Sequence, residues 1–420
     1  EYFTCTDYSS IPMSEPTSAE IIASLRQQLA TCQQLGIKPV SKQKAKGALY
    51  QNDKKGAFKR KNAVFTNVVK EGGDFPPESG RYVLYVSYAC PWASRCLALL
   101  HMKNLTPHIE ICSVYPTWGR THENSDDIHA GWVFVDPEDK KLNVTNTAGY
   151  GEYGLVEYLT KDTVFGKKTV RDIYEMQDQD THTYSVPIFV DKKTKKIVCN
   201  ESSIIVEFLN RAFNKLPGVN ASLDLSPPHL KEKQEEVNSW IYHDINNGVY
   251  KCGFAKSQEA YQEAFFALYD SLDKLEDHLS KNRYLCGNKL SMADIRLFVT
   301  LIRFDEVYVV YFKCNGKLIR EYPNILGYTR EIYQIPGVKE SVSFTHIKNH
   351  YYTSHPTHNL YGVIPIGPRG LKANRKDPKA IENFYLKPHG RGCNKMKKLS
   401  GFFIFAAGIA AAIVMLKKRA

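Results

Sequence analysis

The stretch Tyr82-Val-Leu-Tyr-Val-Ser-Tyr-Ala-Cys90-Pro-Trp-Ala-Ser-Arg-Cys-Leu-Ala-Leu-Leu100 puts a cysteine where an apolar strand gives way to a helix that opens on proline. A side chain there faces N–H groups without intrahelical partners and the positive end of the helix macrodipole. Pro91 suits the first helical position, because the N–H it lacks would be unpaired there. Both effects favour the thiolate. The pattern therefore predicts a Cys90 pKa below the reference of about 8.5 and a nucleophile near neutral pH. The third residue after Cys90 is Ala93, not a second cysteine, so any disulfide that Cys90 forms must be resolved by an outside thiol. The competing reading, a small buried hydrophobe, suits Cys199, Cys252, Cys286 and Cys314, and also Cys96 deeper in the same helix.

With 420 residues, 43% of them hydrophobic, the chain can build two or three units with packed cores. The net charge of +12 raises the question of nucleic acid. Much of it lies at the ends, in Lys38 to Lys61 and in Lys395, Lys397, Lys398, Lys417, Lys418 and Arg419. That distribution favours basic tails over a nucleic-acid groove. Ten cysteines without paired spacing, and no visible secretory leader, point to a reducing compartment.

Residues 1–56 read as an extension, with an amphipathic helix over 18–34 followed by a basic stretch without periodicity that runs from Gly36 to about Glu71. Residues 57–215 hold a βαβ pattern: strand Tyr82 to Val86, helix Pro91 to Lys103 and strand Ile109 to Val114. A long polar insertion, 115–183, precedes the strands Val186 to Val190 and Lys195 to Val198 and a helix from about Ser202 to Phe213. After a Pro/Gly/Ser-rich linker at 216–228, residues 229–392 carry helical periodicity, with Ser291-Met-Ala-Asp294 as a capping box. The apolar run Leu399 to Leu416, flanked by lysines within the tail 393–420, is long enough at about 1.5 Å per residue to cross a thin bilayer. It predicts a C-terminal membrane anchor with the catalytic domain facing the cytosol; the alternative is a helix docked on a cytoplasmic protein.

The fold class is α/β plus all-α. The βαβ unit with Cys-Pro at its first helix, Val186-Pro187 before a strand and Asn200-Glu-Ser-Ser203 before the next helix resembles the thioredoxin-like half of a glutathione transferase, and the helical second half fits that family. More narrowly, Cys90-Pro-Trp-Ala, Asp294-Ile-Arg-Leu-Phe-Val-Thr-Leu-Ile-Arg-Phe-Asp-Glu-Val-Tyr308, Phe312-Lys-Cys-Asn315 and His346-Ile-Lys-Asn-His-Tyr-Tyr-Thr-Ser-His-Pro356 resemble the Xi class, the glutathionyl-hydroquinone reductases. The resemblance covers about residues 57–370 and leaves out the N-terminal 50 residues and the apolar tail.

It implies an enzyme that uses glutathione and glutathionylated quinols. The Cys90 thiolate attacks the glutathione sulfur, hydroquinone leaves, and a second glutathione releases GSSG. It also implies a homodimer joined through the helical domain. By motif, Trp132 matches the family's glutathione-binding tryptophan, and Val186, before an expected cis Pro187, matches the residue whose backbone pairs with the cysteinyl unit. Glu201 and Ser202 match the pair that holds the γ-glutamyl end. Tyr250 matches the proton donor to the quinol, and Tyr308 and Tyr351 match the pair that lowers the thiol pKa by hydrogen bonding. Bacterial members carry an arginine three residues before the Val-Pro pair, where this chain has Thr183, followed by Tyr184 and Ser185. A charge contact to a glutathione carboxylate is then either missing or supplied from the insertion, for example by Arg171 or Lys161. His346, His350, His355 and His358 lack well-spaced cysteine or carboxylate neighbours, so no metal is expected.

Two other functions compete. One is a broader thioltransferase or dehydroascorbate reductase activity, as in the related Omega class. The other is a membrane-tethered binding protein that uses the transferase fold without turnover.

Overall fold

In the computed structural model, which describes residues 52–122, 127–177, 183–367 and 379–391, six strands follow in chain order: β1 (Tyr82–Val86), β2 (Ile109–Ser113), β3 (Gly119–Arg120), β4 (Ala130–Gly131), β5 (Ile188–Asp191) and β6 (Lys196–Cys199). Every residue of β1 is buried, as befits a central strand covered on both faces. It pairs in parallel with β2, Leu84 opposite Ile111, and antiparallel with β5, Leu84 opposite Phe189. The sheet order is β2-β1-β5-β6. β3 and β4 form a separate two-stranded ribbon.

Helix α1 (Pro91–Met102) is the parallel crossover from β1 to β2. In the insertion, α2 (Val170–Glu175) is closed at its start by a capping box between Thr169 and Asp172 and buries Val170, Ile173 and Tyr174. The long polar insertion read over 115–183 thus carries regular structure of its own. One and a half turns are too short to show periodicity, and only the Thr-x-x-Asp box marks the helix. The helix α3 (Ser202–Arg211) packs on α1 and completes the thioredoxin-like half.

The helical half begins with α4 (Lys231–Trp240), which continues through a π-helical stretch, Ile241–Asn246, into α5 (Gly248–Gly253). The long α6 (Gln258–Lys281) and α7 (Met292–Arg303) follow. The expected capping box is present: the Asp294 carboxylate accepts from the Ser291 N–H and hydroxyl, each at 2.7 Å. A second π-helical stretch, Phe304–Tyr308, extends α7, and α8 (Pro323–Tyr333), α9 (Phe344–Thr353) and α10 (Lys379–Tyr385) complete the half. Such π-helical stretches often mark functional positions, and both here adjoin the candidate site.

The basic stretch read as extension or linker up to Glu71 is docked wherever it is described. Thr66 bridges Cys199 on the edge of β6, the Asn67 N–H donates to the Val198 carbonyl at 3.0 Å, and Phe58 and Val69 are buried. Its anchors are too widely spaced to register as periodicity. The amphipathic helix over 18–34 and the apolar run Leu399 to Leu416 lie outside the described residues. Among the described residues no helix is long and apolar enough to cross a membrane.

Candidate active site

Cys90 is the N-cap of α1, in extended conformation (φ −76°, ψ 120°), with Pro91 at the first helical position. Its Sγ donates to the Val186 carbonyl at 3.4 Å, across the junction with the loop before β5. The helix-start N–H groups of Ala93 and Trp92, and the cations of Arg303 and Arg60, all pull the thiol pKa down. Burial opposes them and wins, so in the ligand-free protein Cys90 lies above the ordinary cysteine value and not below it. The local devices read from the sequence are in place; the tertiary desolvation that outweighs them was not visible there.

Beneath Cys90 lies a charge that sequence reasoning missed. Arg303, the last residue of α7, is fully buried. Its Nε donates to the Ala89 carbonyl at 3.0 Å, and its Nη2 to the Tyr88 carbonyl at 3.0 Å and the Ser94 hydroxyl at 2.6 Å. The guanidinium therefore ties α7 to the turn that presents the cysteine. The signal was an arginine closing the apolar run Ile295 to Ile302.

A cavity of about 510 Å³ opens beside this turn. Thr183, Ser185, Val186, Pro187, Glu201 and Ser202 line it, and the Val186–Pro187 bond is cis, as expected. Glu201 is the N-cap of α3; its Oε1 accepts from the Ser203 N–H at 2.9 Å and the Ser203 hydroxyl at 2.8 Å. Two residues of the expected set are elsewhere. Tyr184 turns away, its hydroxyl donating to Glu175 at 2.8 Å. Trp132 is buried with its ring stacked on His350 at 4.5 Å and edge-on to Trp118 at 5.6 Å, and it is not among the residues of the cavity wall. Two aromatic rings from distant segments, those of Trp118 and His350, hold that position, and neither adjoins Trp132 in sequence.

The three candidate tyrosines converge from α5, the second π-helical stretch and α9. The Tyr250 and Tyr351 hydroxyls lie 2.6 Å apart, and those of Tyr308 and Tyr351 3.2 Å apart. They bond to one another and not to the Cys90 sulfur, which corrects the expectation that Tyr308 and Tyr351 stabilise the thiolate directly. Burial, with the nearby Cys90 next in weight, raises the Tyr250 phenol, so it stays protonated at neutral pH. A protonated phenol can donate a proton.

Of the two alternatives for the charge contact, missing or supplied from the insertion by Arg171 or Lys161, the second is not met by these two residues, neither of which lines the cavity. Arg171 is buried between Asp127 at 2.7 Å and Glu175 at 2.6 Å, and Lys161 pairs with Asp136 at 2.7 Å on the surface. The guanidiniums that do line the cavity are Arg60, Arg95 and Arg296. Arg60, part of the stretch read as a basic tail, lies 4.7 Å from the Trp92 ring and 5.2 Å from the Tyr250 ring.

The histidines serve packing. His346 bonds the Glu157 carbonyl at 2.6 Å, His350 the Pro116 carbonyl at 3.0 Å and His355 the Tyr311 hydroxyl at 2.9 Å. Among the described residues no group of three or more potential ligands is set to hold a metal ion.

The family model for the glutathione S-transferase C-terminal domain matches residues 258–331, the span from α6 through most of α8. The chain is 42% identical over 322 residues to the glutathionyl-hydroquinone reductase YqjG of Escherichia coli, covering 74% of this chain and 89% of that protein. Its structure is similar to the crystal structure of glutathione-S-transferase Xi from Phanerochaete chrysosporium, with a TM-score of 0.66 at 43% identity over 74% of this chain and 98% of that one. The chain belongs to the Xi class of glutathione transferases. Glutathione-bound YqjG from Escherichia coli K-12 is likewise similar to this Xi-class chain, with a TM-score of 0.66 and 40% identity over 78% of this chain and 96% of that one. The thioredoxin-like sheet carrying Cys90 and the helical half carrying the tyrosines are thus the two halves of a Xi-class transferase.

Proposed function

We propose that the protein reduces S-glutathionyl-hydroquinones to hydroquinones, with glutathione as co-substrate and release of GSSG. The observation that carries this reading is a lone thiol, Cys90, bonded to a residue of the cavity wall, together with three protonated phenols linked through their hydroxyls. The name and coverage of the Escherichia coli relative support it.

The Cys90 thiolate attacks the glutathione sulfur. The bond from that sulfur to the aryl carbon breaks, its electron pair goes to the ring, and a phenol, Tyr250 by position, supplies the proton that completes the hydroquinone. Cys90 is left as a mixed disulfide with glutathione. A second glutathione thiolate attacks the glutathione sulfur of that disulfide, GSSG leaves and the Cys90 thiolate returns. No second protein thiol is needed, in keeping with Ala93 at the third position after Cys90.

Mass spectrometry of the protein after exposure to glutathionyl-menadiol tests the scheme. A single glutathione adduct on Cys90 is expected, lost on adding glutathione with release of one GSSG, and absent in Cys90→Ser. Turnover without an adduct, or by Cys90→Ser, overturns it.

Two further parts of the proposal rest on sequence and family. The run Leu399 to Leu416 would hold the enzyme at a membrane, where apolar quinones concentrate; loss of membrane fractionation on removing residues 393–420 is the expected result. A homodimer is expected in analytical ultracentrifugation.

A further inference from the structure

Arg60 reaches the cavity from a clasp that the chain forms before β1. Asn52 and Phe58 bridge antiparallel, and the Asp53 N–H donates to the Ala57 carbonyl at 2.9 Å. The clasp is pinned to the helical half: the Asn52 amide donates to the Phe254 carbonyl at 2.7 Å, and the Lys256 N–H to the Gly56 carbonyl at 3.0 Å. Gly56 has φ +86°, and a Cβ there would come within 3.1 Å of the Lys256 and Ser257 backbone, so this approach needs glycine. Two residues past Phe58, the Arg60 guanidinium lies among three rings, 4.7 Å from Trp92, 5.2 Å from Tyr250 and 5.5 Å from Phe58. Trp92 follows Cys90 by two residues, so the cation lies between the helix that carries the thiol and the phenol that donates the proton.

Rings and one neutral amide hold this cation. Its Nε donates to the Asn247 side-chain carbonyl at 3.2 Å, and its Nη2 is buried without a hydrogen-bond partner, a state that costs free energy until an acceptor arrives. Against the burial that raises both groups, its charge pulls down the Cys90 thiol and the Tyr250 phenol, so it is felt at each. The other charged side chains of the cavity wall are Lys61, Arg95, Arg296, Glu201 and Glu235. None of them is packed on the Tyr250 ring, and Lys61 and Glu235 are exposed.

Quinol release moves a negative charge. The charge starts on the Cys90 sulfur, and an aryl carbanion is a poor place for it to end. With the Tyr250 proton delivered to the ring carbon that bears sulfur, and the adjacent ring hydroxyl returning a proton to the phenols, the ring is a dienone. Attack by the Cys90 thiolate then forms the disulfide bond and breaks the bond from carbon to sulfur. The electron pair runs to the dienone oxygen, which becomes a phenolate, and the ring is aromatic again. That oxygen later takes a proton from water. A fixed cation beside it stabilises the charge where it develops.

We propose that Arg60 is a catalytic residue of this reaction, its guanidinium holding the ring oxygen of the quinol that receives the negative charge as the carbon to sulfur bond breaks. The assignment rests on the quinol reading above.

Turnover of three glutathionyl-hydroquinones by the full chain tests it, with dimethyl, unsubstituted and dichloro rings, whose phenols grow more acidic in that order. A mixed disulfide of glutathione and 2-mercaptoethanol, which has no ring oxygen, is the control. Arg60→Met is expected to lower kcat/KM on the unsubstituted quinol about 100-fold. The loss should be larger on the dimethyl ring and smaller on the dichloro ring, since an acidic phenol needs less help, and much smaller on the mixed disulfide. Arg60→Lys, which keeps the charge, should recover part of the loss and flatten the trend. If Arg60→Met fails to fold, Arg60→Gln, which lacks the charge but keeps an amide, is expected to show the same trend. No loss, equal loss across the three rings, or an equal loss on the mixed disulfide would each overturn the assignment, because a packing role or a general effect on the thiol ignores phenol acidity. If the wild type reduces the mixed disulfide and none of the quinols, the quinol reading itself falls and takes Arg60 with it. Quinol turnover that the variants share leaves that reading standing and removes Arg60 alone.

Discussion

The Tyr250 hydroxyl lies 2.6 Å from that of Tyr351, although 101 residues separate them. Joined to Tyr308 through Tyr351, the pair forms a buried relay of three phenols whose ionisation burial suppresses. Each can donate a proton, and a proton given up by one can be replaced along the chain.

Tyr250→Phe is expected to lower kcat/KM for glutathionyl-menadiol about 100-fold while leaving reduction of a small glutathione mixed disulfide within about threefold. Only the quinol reaction needs a proton on carbon. Adding Tyr351→Phe should cost little more, since the phenols act together. An equal loss on both substrates would instead favour the broader exchange chemistry of the Omega type.

Arg303→Met removes the donors that hold the Tyr88 and Ala89 carbonyls and the Ser94 hydroxyl. Leaving these buried acceptors unmet should destabilise the protein by about 2 kcal/mol or more in urea unfolding. The guanidinium also pulls the thiol pKa down against burial. The pH midpoint of Cys90 alkylation by iodoacetamide should therefore move upward in the variant. A midpoint equal to that of the wild type would show that the charge is not felt at the sulfur.

Burial pushes His350 down from 6.5 to about 3, so the folded protein keeps it neutral where the unfolded chain would protonate it. The stability this contributes is fully present above the unfolded pKa of about 6.5 and is lost as pH falls from there toward 3. Its size is on the order of 5 kcal/mol. In His350→Phe, which keeps a ring against Trp132, the urea stability should fall less steeply between pH 6.5 and 4. Parallel profiles would remove His350 as the source of acid lability.

Gly253 ends α5, and a Cβ there would come within 2.3 Å of the Phe312 ring. Phe312 stacks on Tyr308 at 5.2 Å and meets Tyr250 edge-on at 5.2 Å. Gly253→Ala should cost about 1–3 kcal/mol in thermal or urea unfolding and lower quinol turnover by displacing the phenols. Unchanged stability and turnover would mean that the ring yields without disturbing them.

Much of the fold was legible because its signals are local. The five apolar residues of β1, Cys90-Pro91 at a helix start, and the Ser291-to-Asp294 box each carry their meaning within a few residues, and the structure has each of them. The short α2 in the insertion was missed because six residues cannot display a period. Trp132 was assigned to glutathione by its motif, yet it is held by rings that reach it only through the folded chain.

The sequence by itself determined a monothiol at a helix N-terminus and the strand and helix order of a transferase, and offered three tyrosines as candidates by resemblance. Only the tertiary structure decided the state of that thiol, because desolvation sums over every neighbour and here outweighs the helix start. It alone brought Arg60, Arg95 and Arg296 to one cavity, from the stretch before β1, from α1 and from α7. In the sequence these arginines look like any other charged residues. What marks them is the burial of donors with nothing to bond, and burial is a property of the packed chain.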